Sequence, residues 1–213
     1  MLTIWGRANS INVQKVMWTV GELGLEHRRI DAGGKFGGLD TPEYRKRNPN
    51  GLVPVIDDGG TVVWESHAIL RYLAAKYGAG SLWPADPAAR AAGDQWIEWA
   101  QTTLQPAFIG GVFWAAFRTP KAQQNPAQIA RNVKRAGELF RMLDRALESR
   151  AFLSGPDFAL GDIPAGTQLF RYFELDIERP ALPHVENWYA RLKSRPAYRE
   201  HVMVPFEDLR GQI

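Results

Sequence analysis

Small polar residues stand at the predicted starts of two helices in this sequence. Ser10 and Asn12 follow the strand-like segment Leu2–Trp5, and Glu65 and Ser66 follow a second strand-like segment. A serine at such a point is explained structurally as an N-cap, which typically contributes ~1 kcal/mol. The same geometry binds carboxylates, because free N–H groups and the positive end of the helix dipole converge there. For Ser66 we expect both roles.

A proline stands directly before a predicted interior strand, at Pro54. A trans proline has no evident role there, because proline lacks the N–H that a strand would donate. A cis Val53–Pro54 bond would reverse the chain locally and leave the backbone of Val53 unpaired and facing a ligand. We therefore predict a cis bond. The alternative is a plain bend at the start of the strand.

Several other chemistries are excluded or unsupported. The chain has no cysteine, so any thiol has to be brought by a ligand. No serine lies in a GxSxG pattern, and the glycine-rich residues 33–38 lack the spacing of a phosphate-binding loop, which predicts a mobile loop instead. The histidines show no i, i+3 or i+4 spacing to one another, so no metal site is predicted from His27, His67, His184 and His201.

The composition is that of a globular protein, with 45% apolar and 23% charged residues in a chain of 213. Basic residues are spread along the chain apart from the cluster at residues 45–47, so the net charge of +3 does not predict nucleic-acid binding. The longest apolar stretch, residues 107–117, falls short of the ~20 residues that span a bilayer. With no signal-peptide pattern either, we expect a cytoplasmic protein that does not bind membranes.

The first 78 residues predict a small α/β domain with a mixed sheet. Strand-like segments at residues 2–5 and 27–30 enclose a stretch of helical periodicity, and residues 53–64 form a strand, a turn at Asp58-Gly59-Gly60 and a second strand. A helix follows, with Ser66 as its predicted N-cap and Gly78 at its end. The order of elements is typical of a compact α/β unit.

The rest of the chain predicts helices alone. Residues 79–88 are rich in Gly, Pro and Ala and suit a linker, and residues 89–213 form the second domain. Residues 162–175 and 184–193 predict two of its helices. A longer bundle helix is predicted by a regular 4-3-4-3-4 apolar spacing at Ile129, Val133, Ala136, Phe140, Leu143 and Leu147.

Three segments, taken in order, resemble the cytosolic glutathione S-transferase family. They are WGRANSINVQKV at residues 5–16, NPNGLVPVI at residues 48–56 and WESHAILRYL at residues 64–73. The linker SLWPADP and residues 158–163 are also similar to that family, so the resemblance covers nearly the whole chain and is strongest to the bacterial, theta-like and zeta-like branches. It implies a thioredoxin-like α/β domain followed by an all-α helical bundle.

The resemblance also implies which residues bind glutathione, the cosubstrate, without a metal. Val53 would pair with the cysteinyl backbone, and Ser66 with Glu65 nearby would hold the γ-glutamyl carboxylate. Ser10 would stabilise the thiolate, with Asn12 as the next candidate; Asn9 and a pure capping role for Ser10 remain open. Gly51 stands where several branches of the family have a basic residue that reaches the glycyl carboxylate of glutathione. We expect Lys35 to take that role here.

The implied activity is attack of glutathione thiolate on an apolar electrophile by a homodimeric enzyme. The cosubstrate would lie against an aromatic stretch that contains Phe108, Phe113, Trp114 and Phe117, although such a stripe is more often part of a core than of a pocket. Glutathione-dependent disulfide reduction, isomerisation and a non-catalytic binding module remain open. The resemblance implies a buried helix-start aspartate at Asp162, and we expect it to serve folding.

Overall fold

The computed structural model describes residues 1–212, which form two compact units. The first unit comprises Met1–Ala85 and Pro196–Val204, and the second comprises Asp86–Arg195 and the residues from Pro205 onward. The sequence predictions of a mixed α/β unit and of a helical unit are confirmed. The domain boundaries at residues 78 and 88 stay a prediction.

The first unit contains a four-stranded mixed sheet in the order β2-β1-β3-β4. Its strands are β1 (Leu2–Trp5), β2 (His27–Ile30), β3 (Val55–Asp58) and β4 (Thr61–Trp64). β1 pairs with β2 in parallel and with β3 antiparallel, and β3 and β4 form the predicted hairpin. β1 is a central strand, so its carboxyl end lies between β2 and β3.

Three helices flank the sheet: α1 (Ile11–Glu22), α2 (Pro42–Arg47) and α3 (Ser66–Tyr77). α1 and α3 pack together, and the fully buried Val16 and Ile69 belong to the core on that side. Helix α2 is absent from the sequence prediction. It begins where Thr41 accepts a hydrogen bond from the N–H of Tyr44, and its six residues are too few to show a helical period.

A later helix, α8 (Pro196–His201), belongs to the first unit rather than to the second. It packs on α1, where the Trp18 and Tyr198 rings meet edge to face with centroids 4.7 Å apart. Gly21 makes this close approach possible, because a Cβ at that position would lie 2.8 Å from the Cβ of Ala197. The chain therefore returns to its first unit after building most of the second.

The regular elements of the second unit are all helices among its described residues. Its helices are α4 (Pro87–Trp99), α5 (Pro126–Leu147), α6 (Ile163–Glu174) and α7 (Pro183–Ser194). Between α4 and α5 the chain runs through Ala100–Leu104 and Pro106–Arg118 with the wider turn of a π-helix, in which Thr119 N–H bonds to the C=O of Trp114 at 2.8 Å. No helix within residues 1–212 combines the length and apolar character needed to cross a membrane.

Asp162 is completely buried at the start of α6. Its carboxylate accepts hydrogen bonds from the N–H groups of Leu153 at 2.7 Å and Ala159 at 3.2 Å. Burial raises the pKa of this carboxyl to about 6, against the opposing effect of its hydrogen bonds. The contacts support the predicted folding role. Ala159 has no side-chain acceptor to complete a reciprocal capping box.

A second aspartate, Asp144 on α5, caps the first turn of α7 from another helix. One of its oxygens accepts from His184 N–H at 2.8 Å and Val185 N–H at 2.9 Å. Asp144→Ala is expected to destabilise the protein by ~1 kcal/mol, as loss of an N-cap does, which lowers Tm by about 2–4 °C in a chain of this length. Thermal unfolding followed by circular dichroism measures the Tm of the variant and of the wild type. The exposed Asp157→Ala is the matched control, and equal Tm values for both variants would contradict the capping role.

Candidate functional site

The turn between β1 and α1 is held tightly against the sheet. Gly6 N–H bonds to the C=O of Ile30 at 2.9 Å, and Arg7 N–H bonds to the C=O of Ala32 at 3.1 Å. A Cβ at Gly6 would lie 2.3 Å from a methyl group of Val13, so glycine is required there. The turn carries Ser10 to the start of α1, because Ser10 N–H bonds to the C=O of Arg7 at 3.1 Å.

Ser10 is the N-cap residue of α1 by position, yet its hydroxyl makes no capping hydrogen bond. The residue is half-buried and has extended backbone geometry, with φ −80° and ψ 125°. A pure capping role is therefore not supported. Asn12 occupies the second position of α1 and Asn9 precedes Ser10, both half-buried. The sequence thus places all three polar candidates around one helix start.

The Val53–Pro54 bond is cis, as the sequence predicts. β3 begins after it at Val55, two residues later than the predicted strand. Val53 makes no backbone hydrogen bond within residues 1–212, so its N–H and C=O are free to pair with an extended ligand. It also lies beside the β1–α1 turn, since a Cβ at Gly6 would be 3.3 Å from the Cβ of Val53.

The residue before Val53 is anchored by two buried side chains. The C=O of Leu52 accepts hydrogen bonds from the Tyr44 hydroxyl at 2.8 Å and from Asn48 Nδ2 at 2.9 Å. Burial raises the pKa of Tyr44 to about 12, against the lowering effect of the Arg47 charge, so its hydroxyl stays protonated and donates. Helix α2 thereby positions the backbone of Val53, a role that the sequence did not predict.

Glu65 and Ser66 form the entry to α3. Glu65 has φ 67° and ψ 118°, the only positive φ outside glycine in residues 1–212. Such a conformation typically costs about 1–3 kcal/mol and is concentrated at ligand sites. The N-cap residue is Glu65, and Ser66 is the first helical residue, 5% exposed; the prediction that Ser66 is the N-cap is wrong by one position. The first N–H groups of α3 have no helical acceptors.

Lys35 lies on a short 3₁₀ turn, Gly34–Phe36, and is exposed. Its ammonium sits 5.4 Å from the centre of the Phe36 ring. The basic side chain that lies along this loop is Arg7 instead: Cβ atoms added at Gly33 and Gly34 would come within 3.2 Å of it. No spacing in the sequence predicts this position of Arg7, because only the folded loop brings it there.

The space above Gly51 is filled by another arginine. A Cβ at Gly51 would lie 2.5 Å from the guanidinium carbon of Arg45, whose nitrogens donate to Pro49 C=O at 2.9 Å and to Asp40 at 2.8 Å. Arg45 therefore supplies a positive charge at the position where the sequence lacks a basic residue.

Most of the aromatic residues predicted to line a substrate pocket are core residues of the second unit. Phe108 is completely buried and packs edge to face on Phe140, and Phe113 stacks on Phe117 with centroids 5.2 Å apart. The exposed fractions of Phe113 and Phe117 are 1% and 4%, so we replace the pocket assignment of all three with a packing role. Trp114 is 43% exposed and can contact a ligand.

Comparison with known proteins agrees with this geometry. Family models described as "Glutathione S-transferase, N-terminal domain" and "Glutathione S-transferase, C-terminal domain" match residues 9–76 and 104–196. The chain is 40% identical to glutathione S-transferase GstB of Escherichia coli over 96% of its length and 99% of the relative's. It is also 31% identical to the E. coli disulfide-bond oxidoreductase YfcG, with 87% of each chain covered.

A solved structure resembles it over almost its whole length. This is a theta class glutathione S-transferase from Xanthomonas axonopodis pv. citri with glutathione bound, which is 50% identical, covers 96% of this chain and 98% of its own, and superposes with a TM-score of 0.92. Within residues 1–212 no group of three or more His, Asp or Glu residues is placed to hold a metal ion.

Proposed function

This chain belongs to the glutathione S-transferase family, and we propose that it binds glutathione along the edge formed by the β1–α1 turn, Val53 and the start of α3. The unpaired backbone of Val53 beside cis-Pro54 carries the proposal, because a strand edge with free N–H and C=O groups binds an extended peptide. The cysteinyl backbone of glutathione fits this position.

The two ends of glutathione have matching partners in this unit. Ser66 and the N–H groups at the start of α3 suit the γ-glutamyl carboxylate, and the Glu65 carboxylate suits the neighbouring ammonium. Arg7 and Arg45 offer positive charge for the glycyl carboxylate, in the role first assigned to Lys35. Lys35 stays a candidate, since its loop flanks Arg7.

The reaction that we propose begins with the loss of the thiol proton to solvent. The thiolate then attacks an electrophilic carbon, a C–S bond forms, and the leaving group departs with its electron pair. A free thiol has a pKa near ~8.5, and each unit of lowering requires about 1.4 kcal/mol of thiolate stabilisation. A hydroxyl donor worth roughly 1.5–3 kcal/mol and a helix N-terminus worth up to about 2 suffice for two units or more. Ser10 at the start of α1 offers both.

Among the four predicted pocket residues, Trp114 is the one whose ring can contact an apolar ligand in this proposal. Its exposed ring is covered on one side by the Arg118 guanidinium, 4.2 Å from the ring centre. Phe108, Phe113 and Phe117 contribute by holding the surrounding helices. The identity of the electrophile is best found by screening electrophiles with glutathione.

A second candidate activity is glutathione-dependent disulfide reduction. It is favoured by the 31% identity to a protein named disulfide-bond oxidoreductase. One experiment separates the candidates: retention on glutathione-agarose, combined with turnover of 1-chloro-2,4-dinitrobenzene and of a small disulfide. Conjugation supports the transferase proposal, turnover of the disulfide alone supports the second candidate, and retention without turnover supports a binding module. Failure to bind glutathione would overturn all three.

We also propose a homodimer in the cytoplasm. Apolar side chains of the first unit are exposed, among them Leu52 at 59% and Trp64 at 37%, as expected of a surface that a second copy covers. Light scattering after gel filtration measures the mass, and cell fractionation the location. A monomeric mass of 23.9 kDa at micromolar concentration would contradict the dimer.

Ser66→Ala is expected to raise KM for glutathione about fivefold with little change in kcat. The hydroxyl contacts a part of glutathione that does not react, so its contribution of ~1 kcal/mol is equal in the ground state and the transition state. Steady-state kinetics at varied glutathione measure the two constants. Ser81→Ala, an exposed serine, is the matched control. An unchanged KM in folded Ser66→Ala would remove Ser66 from the binding site.

A further inference from the structure

A buried lysine and a buried histidine lie next to the proposed carboxylate site. Lys15 is 0% exposed on α1, and its Nζ lies 3.1 Å from Nε2 of His67, the second residue of α3. The two buried titratable groups are therefore in direct hydrogen-bond contact. His67 Nδ1 is buried and has no hydrogen-bond partner in the described part of the chain.

The charges around Lys15 belong mainly to the start of α3. Glu65 acts on it through space, and Arg71 acts on His67. Helix α8 also packs on α1, at Trp18 and Gly21, which lie three and six residues beyond Lys15. The charged or titratable residues of α8 are Tyr198, Arg199, Glu200 and His201, and those of the neighbouring strand β3 are Asp57 and Asp58.

Burial lowers the pKa of Lys15 to about 7, against the raising effect of Glu65. Burial and the neighbouring Lys15 charge lower the pKa of His67 to about 2, so the histidine stays neutral. Lys15 therefore carries a fractional charge at neutral pH. Any new negative charge nearby favours its protonated form.

The ligand brings such a charge. Lys15 lies five residues after Ser10, or about 7.5 Å along the helix axis, and its partner His67 is adjacent to Ser66 in the chain. At about 8 Å and an effective dielectric constant of about 20, one negative charge raises the pKa of an amine by about 1.5 units.

We propose that Lys15 is the proton-linked counter-ion of bound glutathione: its buried amine takes up a proton from solvent as the ligand anions settle at the starts of α1 and α3. The inference rests on the proposed function, and nothing in that mechanism uses Lys15. Lys15 is a positioning residue, because it acts on the ligand through His67 and through space without touching the reacting sulfur.

The test is calorimetric titration with glutathione sulfonate, which has a permanent negative charge in place of the thiol and releases no proton there. Titrations in buffers of different ionisation enthalpy give the number of protons taken up on binding. A pKa rise of about 1.5 units predicts uptake of about 0.7 proton midway between the two pKa values, hence between pH 7 and 8.5. Affinity should fall as pH rises through that range.

Two variants distinguish Lys15 from other groups. Lys15→Met should abolish the uptake, and Lys15→Arg, with its permanent charge, should abolish it and also make the affinity independent of pH in this range. Lys134→Met, which removes an exposed lysine of α5, should behave as wild type. Binding without proton uptake in the wild type, or uptake retained in both Lys15 variants, would overturn the inference alone. Absence of glutathione sulfonate binding would overturn the proposed function and the inference together.

Discussion

Ser10→Ala is expected to raise the pKa of the bound glutathione thiol by about 1–2 units, equivalent to about 1.4–3 kcal/mol, while the fold and most of the glutathione affinity remain. The reason is that the Ser10 hydroxyl makes no capping bond in α1 and is available to donate to a thiolate at the helix start. Ultraviolet absorbance of the thiolate, recorded against pH on the enzyme–glutathione complex, measures the pKa separately from turnover.

The competing donors are the amides of the same turn. Asn12→Ala and Asn9→Ala, titrated in the same way, show whether an amide carries the effect, and Ser149→Ala removes an exposed serine as the matched control. A titration that shifts in Asn12→Ala but not in Ser10→Ala would make the amide the activating group. If none of the three variants shifts the titration, the backbone N–H groups and the dipole of α1 are sufficient by themselves.

Lys15→Met is expected to stabilise the protein relative to wild type near pH 7. The free energy of unfolding of the variant minus that of the wild type should decrease by about 3–4 kcal/mol between pH 7 and pH 10. Burial lowers the pKa of Lys15 in the folded protein to about 7, from about 10.4 in the unfolded chain. Between those values the unfolded chain binds more protons than the folded one, so wild-type stability rises with pH. Methionine does not titrate, so position 15 makes no contribution to the pH dependence of stability in the variant.

Urea unfolding at several pH values measures the difference in free energy of unfolding between Lys15→Met and wild type. Comparing two variants at each pH cancels the other groups that titrate in this range, and His67 stays neutral throughout because its pKa is about 2. Lys134→Met, at an exposed position, should run parallel to wild type. A stability difference between Lys15→Met and wild type that does not change from pH 7 to pH 10 would show that Lys15 titrates at an ordinary pKa in the folded protein.

Local patterns in the sequence were sufficient to predict the four strands and the helices α1 and α3 of the first unit. The alternation of residues 2–5 and 61–64, the turn at Gly59-Gly60 and the proline before β3 are all signals carried by neighbours in the chain. They predict the hairpin and the cis bond at Pro54, which the structure confirms. Helix α2 escaped prediction because a six-residue helix has less than two turns in which to show a period.

The other residues of the site are brought together by contacts between segments that are far apart in the sequence. Lys15 and His67 are 52 residues apart and meet only because α1 packs on α3. Arg7 reaches the proposed site by lying along the loop at Gly33, and no spacing in the sequence signals that contact. The positive φ of Glu65, which moves the start of α3 by one residue, likewise reflects the folded surroundings rather than a preference of glutamate.

The sequence by itself therefore determined the two classes of unit and the segments that carry polar groups to the site, because these depend on local periodicity and turn chemistry. The family followed from the resemblance of three segments to known proteins. Only the tertiary structure decided which side chains are accessible. The stretch that contains Phe113 and Trp114 has one apolar pattern, yet Phe113 is 1% exposed and Trp114 is 43% exposed. Burial depends on which elements cover a residue, and that is settled by packing between segments far apart in the chain.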